Sequence, residues 1–294
     1  MSRQSWLLFL IPVVVWSTTF YAITWQLDSP ITPTFAVALR FGVAAVLLFA
    51  WLLLRRELRP MPWALHALAA ASGICAYGLS YVCTYLAERD IASGLVAIAF
   101  TSMVFLTPLL ARVALGTPIA RATWLGGSLG VLGVIGCFLP DLLAADASTT
   151  FVRGMLSMGV AAMASSVAAT ISLRLNASAV PVTTYTAWAM AWGSLATVLY
   201  ALIRGQTLAW ETRLSFWVAF AWLTLAGTLL TFLCYLTLLK REGTARTMYI
   251  SVLSPIGAVL ISIAFEGFRP QALTWVGIGF ALFGAWITMR SNTR

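Results

Sequence analysis

Ten stretches of mostly apolar residues fill this 294-residue chain, and its nine carboxylates fall in the short segments between them. A run of about 20 apolar residues spans a bilayer core of roughly 30 Å. Within that core every backbone N–H and C=O must be satisfied inside the segment, so each stretch reads as a membrane-spanning helix. A soluble alternative fails on composition. The chain is 61% hydrophobic and 9% charged, with a mean hydropathy of +0.92, and a 31.8 kDa globule could not hide that apolar load. Soluble domains carry about 25% charged residues.

The spans lie near 6–26, 34–54, 64–87, 91–111, 122–139, 154–173, 182–203, 215–239, 245–265 and 272–289. Polar interruptions set their limits: Asp28 to Pro30, Arg55 to Glu57, Glu88 to Asp90, Gly116 to Arg121, Asp141 to Arg153, Asn176 to Pro181, Gly205 to Arg213, Lys240 to Glu242 and Glu266 to Pro270. The first span begins at Trp6 with only Arg3 before it and no small-x-small cleavage site, so it is read as a retained helix, not a signal peptide. With the N-terminus inside, twelve Lys and Arg residues fall in cytoplasmic segments and five in outer ones. That bias predicts that both termini are cytoplasmic. The formal charge of +9 then reflects topology and contact with anionic lipid, not nucleic-acid binding. Cys75, Cys83, Cys137 and Cys234 all sit within spans and read as free thiols packed as small hydrophobes.

The chain also matches itself at an offset of 151 residues. Pro30 meets Pro181, Gly42 meets Gly193, Cys83 meets Cys234, Gly116 meets Gly267, Trp124 meets Trp275, Gly126 meets Gly277 and Gly133 meets Gly284. Each half, 1–143 and 152–294, holds five spans, and five is odd. The second half therefore enters the membrane inverted, which is the architecture of many secondary transporters. The expected fold is all-α and integral to the membrane: ten transmembrane helices in two inverted five-helix repeats. Duplication kept only for folding is the alternative.

On Trp16 to Phe20 in the first span, Ala38 to Gly42 in the second, and Trp124 with Gly126 and Trp275 with Gly277 opening the fifth and tenth, the chain resembles the EamA-type branch of the drug/metabolite transporter superfamily. Within it, aromatic content makes the chain most similar to the YddG-type exporters of aromatic and other neutral amino acids. The resemblance implies a bacterial inner membrane and alternating access. It also implies a cavity lined by helices 1, 3, 4, 6, 8 and 9, with helices 5 and 10 peripheral.

Several spans carry hydroxyls and rings at helical spacing. The third shows Tyr77, Ser80, Tyr81 and Thr84 on one face, and the eighth shows Thr224, Thr228, Thr231, Phe232 and Tyr235. These sets correspond under the offset. Helix 1 offers Trp16, Thr19 and Phe20; helix 6 offers Ser165, Ser166, Thr170 and Ser172. Helix 4 gives Phe100, Met103 and Thr107 before Pro108, and helix 9 gives Tyr249, Ser251 and Ser254 before Pro255. Hydroxyls can bind carboxylate or ammonium groups, and rings hold an ammonium by about 0.5–2 kcal/mol of cation–π attraction. The alternative is that Ser and Thr bond their own or neighbouring helices. Pro12, Pro108 and Pro255 are expected to act chiefly as kinks. Arg40 is the one cation inside a span. It is either an anchor for a substrate carboxylate or a structural tie for helix 2, and its family position favours the second. Glycines at 126, 127, 130, 133 and 136, and at 277, 279 and 284, predict close packing of helices 5 and 10, with a dimer seam as the alternative.

A single His66, no clustered Cys and no acid within a span exclude a His-rich metal site, a Ser-His-Asp arrangement and an aspartyl pair. There is no Walker A loop. No enzyme activity, cofactor or metal is expected, and the partners are a small-molecule substrate and lipid, with a monomer favoured over a dimer. The sequence thus predicts export of neutral, aromatic or amphipathic amino acids and similar metabolites, facilitative and without obligatory proton coupling. An extruder of lipophilic cations, a channel and a membrane scaffold are the alternatives.

Overall fold

The computed structural model describes residues 2–143, 149–174, 180–247 and 249–291, and all of its regular elements there are helical. Asp146 and Asn176, in two of the connecting segments, and Arg294, in the tail, lie outside the described residues. We number the rods α1 (Arg3–Leu27), α2 (Pro33–Leu54), α3 (Trp63–Glu88), α4 (Ser93–Leu115), α5 (Arg121–Leu143), α6 (Thr149–Ser172) and α7 (Val182–Ile203). Next comes α8, formed by Leu214–Ala221, Trp222–Leu230 and Thr231–Thr247; α9 is Ile250–Phe265 and α10 is Ala272–Ser291. Eight of these are long and apolar enough to cross a membrane. The apolar parts of the last two, Ile250–Phe265 and Ala272–Thr288, are shorter than the equal spans expected from sequence.

Local chemistry starts and stops the rods where the polar interruptions predict. The Ser2 hydroxyl accepts the Ser5 N–H at 3.2 Å, and the Thr32 hydroxyl accepts the Phe35 N–H at 3.4 Å with Pro33 opening α2. Gly116, at φ +68°, closes α4 in the left-handed conformation that glycine adopts without strain. One interruption behaves differently: Lys240 to Glu242 do not break the chain, and α8 continues helically to Thr247.

Helices α5 and α10 run antiparallel in close backbone contact. A Cβ at Gly126 would strike the Gly284 carbonyl, and one at Gly133 the Gly277 carbonyl; the converse holds from Gly284 and Gly277. Packing between these two helices, expected from their glycines, is present. The two contacts exchange under the 151-residue offset, Gly126–Gly284 becoming Gly277–Gly133.

Two helices depart from α geometry. In α3 the segment Ile74–Ser80 is a π-helix, and in α8 the segment Trp222–Leu230 is another. The offset carries 74–80 onto 225–231, so the irregularities overlap in corresponding places. A further break divides α4 at Thr101 and Ser102. All three border the interior. The outer surface is apolar instead, with Val46, Leu54 and Leu132 exposed as lipid contact requires.

Candidate functional site

The rods enclose a cavity of about 780 Å³. Its mouth lies by Leu173 and Val182, 41% and 46% exposed, where α6 ends and α7 begins. Its floor is made by Ile23, Thr84 and Ala97, all nearly inaccessible. One end is therefore open and the other closed.

Fourteen of the residues singled out from sequence border this space: Trp16, Thr19 and Phe20 of α1, Tyr77, Tyr81 and Thr84 of α3, Phe100 and Met103 of α4, Ser165 and Ser172 of α6, Phe232 and Tyr235 of α8, and Ser251 and Ser254 of α9. Arg40 and Pro255 border it too. Rings form much of the wall. Phe20 and Phe100 approach to 5.9 Å between centroids, Trp16 and Tyr235 to 5.9 Å, and Phe41 backs Tyr77 and Tyr81 at 5.0 and 4.6 Å. The Trp16 indole donates to the Gly227 carbonyl at 3.1 Å, which fixes α1 against the π segment of α8.

Eight others lie off the cavity, Thr107 and Thr224 among them. Ser80 is fully buried and faces α6, donating to the Ala161 carbonyl at 2.8 Å and pairing with Ser165 at 2.6 Å. The wider π turn of Ile74–Ser80 rotates it away from the face that a regular helix would give it. Thr228 sits in the other π segment and donates five residues back to Leu223 at 2.9 Å; Thr231 donates to Gly227. On α6 the lining face is Ser165, Ala168, Ala169 and Ser172, so Ser166 and Thr170 point into packing. Tyr249 is 40% exposed in the turn before α9. Pro12 and Pro108 stay within their helices, off the cavity. The sequence missed α7 altogether: Val182, Tyr185, Thr186 and Ala189 line the space, as do Ser72 and Thr101. Tyr185 bonds the Ser72 hydroxyl at 2.7 Å and donates to the Leu68 carbonyl at 3.1 Å.

Several cavity hydroxyls have already given away their protons. Thr19 donates to Trp16, Thr84 to Ser80, Thr101 to Ile98, Ser172 to Ala168 and Ser254 to Ile250, each through a main-chain carbonyl at 2.6–2.9 Å. What they offer the cavity is lone pairs, which suit an ammonium better than a carboxylate. The matching donor is Arg40, 2% exposed. Its Nε and Nη2 reach the Thr228 hydroxyl at 3.4 and 3.3 Å, and its guanidinium lies 5.1 and 4.9 Å from the Phe41 and Tyr81 ring centres. Its Nη1 is buried with no hydrogen-bond partner among the described residues.

One premise drawn from sequence is overturned. Glu88 was assigned to a connecting segment because it stands in a charged triplet with Arg89 and Asp90. It is the last residue of α3, 6% exposed, and both carboxylate oxygens lack a hydrogen-bond partner among the described residues. An acid does lie inside the protein, beneath the floor of the cavity.

The uncharacterized inner membrane transporter YedA of Escherichia coli K12 is 23% identical over 273 residues, 92% of this chain and 85% of that one; its counterpart in strain O157:H7 matches equally. A crystal structure of a protein superimposes over the whole of both chains with a TM-score of 0.67 at 17% identity, which speaks to fold alone. The model of the EamA-like transporter family matches twice, at residues 4–139 and 152–290. On that match the chain belongs to the EamA-like transporter family and is a multi-pass membrane transporter.

Proposed function

We propose that this transporter exports neutral, aromatic or amphipathic amino acids and related metabolites, a substrate class like that of the YddG-type exporters. The observation that carries the proposal is Arg40, a buried guanidinium with one unused nitrogen, bordering a ring-lined cavity whose hydroxyls act as acceptors. A zwitterion answers both halves of that wall. Its carboxylate suits the planar fork of arginine. Its ammonium suits hydroxyl lone pairs and ring faces, and its side chain suits Trp16, Phe20 and Phe100. A lipophilic cation finds Arg40 repulsive.

The mechanism proposed is alternating access between two inverted halves, 1–143 and 152–294. It draws support from the exchanging glycine contacts of α5 and α10, the overlapping π segments of α3 and α8, and the double match of the family model. In the orientation expected from positive charge, the mouth at Leu173 and Val182 faces the cytoplasm. The α5 and α10 glycines meet within one chain, which favours a monomer over a dimer built on that seam.

Counterflow in proteoliposomes tests the substrate class. Labelled tryptophan is expected to exchange with saturation, and Trp16→Ala and Tyr81→Ala each weaken that exchange. Saturable transport of ethidium with none of tryptophan, leucine or phenylalanine would overturn the proposal.

A further inference from the structure

Directly behind the closed floor lies a cluster of polar side chains. Glu88 is one helical turn beyond Thr84 on α3, and Ser93 is one turn before Ala97 on α4, so two floor residues each carry a residue of the cluster on their outer side. The third wall is the end of α9. There Glu266 Oε2 accepts the Ser93 N–H at 3.1 Å and the Ser262 hydroxyl at 2.5 Å. Gly94 brings α4 hard against α9: a Cβ there would come within 3.0 Å of Ser262 Cβ and Val259 Cα. The cluster is under-satisfied. Both oxygens of Glu88, Oε1 of Glu266 and the hydroxyl of Ser93 are buried without partners among the described residues.

We propose that this cluster, made by Glu88, Glu266 and Ser93, is a proton-binding site that latches the closed end of the cavity.

The charges around it decide what it holds. Glu88 and Glu266 lie within each other's electrostatic reach, and the cation that reaches Glu88 is Arg40, on the cavity side of the floor. The other nearby charges are taken or turned outward. Asp90 is held by Arg153 through two contacts of 2.7 and 2.6 Å, and Arg89 and Arg269 are exposed. Tyr85, which also feels Glu88 and Arg40, donates to Gln26 at 2.7 Å. Two neighbouring carboxylates, one of them buried without a donor, do not readily both stay ionised beside one shared cation. Glu266 receives two donors, and Glu88, which receives none, is the member of the pair placed to carry a proton.

When the floor opens, water reaches Glu88 and its proton passes to the solution at that end. Both carboxylates are then ionised, and their repulsion holds the ends of α3 and α9 apart. Closing takes one proton back from the same side. Transport is thereby linked to the pH of that compartment, against the proton-independent transport expected from sequence. The site needs only that the floor opens, whatever substrate the cavity takes.

Infrared titration of the purified full-length protein in lipid tests the site without any substrate. A protonated-carboxyl stretch is expected at neutral pH, lost as pH rises, absent from Glu88→Gln and unchanged in the exposed control Glu57→Gln. Hydrogen exchange reads the latch. Release of one proton on opening makes exchange of residues 84–97 climb by up to about tenfold per pH unit beyond the intrinsic chemical rate, and Glu88→Gln removes that slope. The wild-type slope stands as a test even if the variant folds poorly. A missing carboxyl band, or the same slope in both proteins, would overturn the proposal. A band and slope in a protein that moves no amino acid would leave the latch standing and remove only the substrate class.

Discussion

The α5–α10 pair and the α3–α8 pair are built on opposite principles. In the first, small residues bring two regular helices into backbone contact, with Gly126 on Gly284 and Gly133 on Gly277. In the second, each helix gives up regular hydrogen bonding over a π segment, and the rods part to wall a cavity. Regular backbone marks where the protein is tied together. Irregular backbone marks where side chains must be aimed and where the Gly227 carbonyl receives the Trp16 indole beside the Thr231 hydroxyl.

The largest expected effect breaks the first pair. A leucine at Gly133 or Gly277 has no room without separating two backbones. Overpacking typically costs about 1–3 kcal/mol, and a clash with main chain falls at or beyond the top of that range. Gly133→Leu should therefore abolish the monodisperse folded peak in detergent chromatography. Gly159→Leu should leave it intact, since nothing lies within 4 Å of a Cβ there. Equal behaviour of the two variants would mean that the glycine seam does not hold the fold.

Next in size is Arg40, which belongs to the second pair through Thr228 in the α8 π segment. Leaving a buried charged partner unpaired costs about 2–5 kcal/mol. Arg40→Ala should accordingly lower tryptophan counterflow by at least tenfold with the folded peak retained. Arg40→Lys keeps the charge but not the fork, and should recover only part of the loss. Full activity in Arg40→Ala would return the residue to a structural tie. Smaller again is Trp16→Phe, which keeps the ring and deletes the hydrogen bond to Gly227. A net hydrogen bond is worth about 0.5–1.5 kcal/mol, so half-saturation should rise by several-fold.

The contrast between the pairs also separates what could be read in the sequence from what could not. The rods and their limits follow from apolar length and from markers such as Thr32-Pro33 and Gly116, because those signals are local. Trp16, Tyr77, Tyr81 and Tyr235 were found because a ring or hydroxyl within an apolar span has few other uses. Ser80, Thr228 and Thr231 were misplaced because the periodicity assumed 3.6 residues per turn straight through segments that are π-helical, and no residue type announces a π turn. Glu88 was misplaced because Arg89 and Asp90 make a loop-like triplet, although only those two turn outward or find a partner. Tyr185 near a helix end looks like an interfacial aromatic, and its link to Ser72 joins residues 113 positions apart, beyond any local pattern.

The smallest effect lies outside both pairs, in the segment joining α7 to α8, where Glu211 is 3% exposed and held by protein donors. Glu211 is bound by the Arg213 side chain at 3.1–3.3 Å, by the Ser29 hydroxyl and by the Arg213 N–H at 2.8 Å. Those donors, Arg213 first, hold its carboxyl down at about 2. A carboxyl lower in the folded than in the unfolded chain stabilises the fold fully above its ordinary range, near 4.5, and that contribution fades as pH falls toward about 2. Glu211→Gln should therefore lower the thermal midpoint slightly at pH 7 and converge with wild type as pH drops through that window. Gly133→Leu should show no such convergence, because a backbone clash carries no proton. A Glu211→Gln deficit that stayed constant from pH 7 to pH 3 would assign the residue to packing instead of to its ion pair with Arg213.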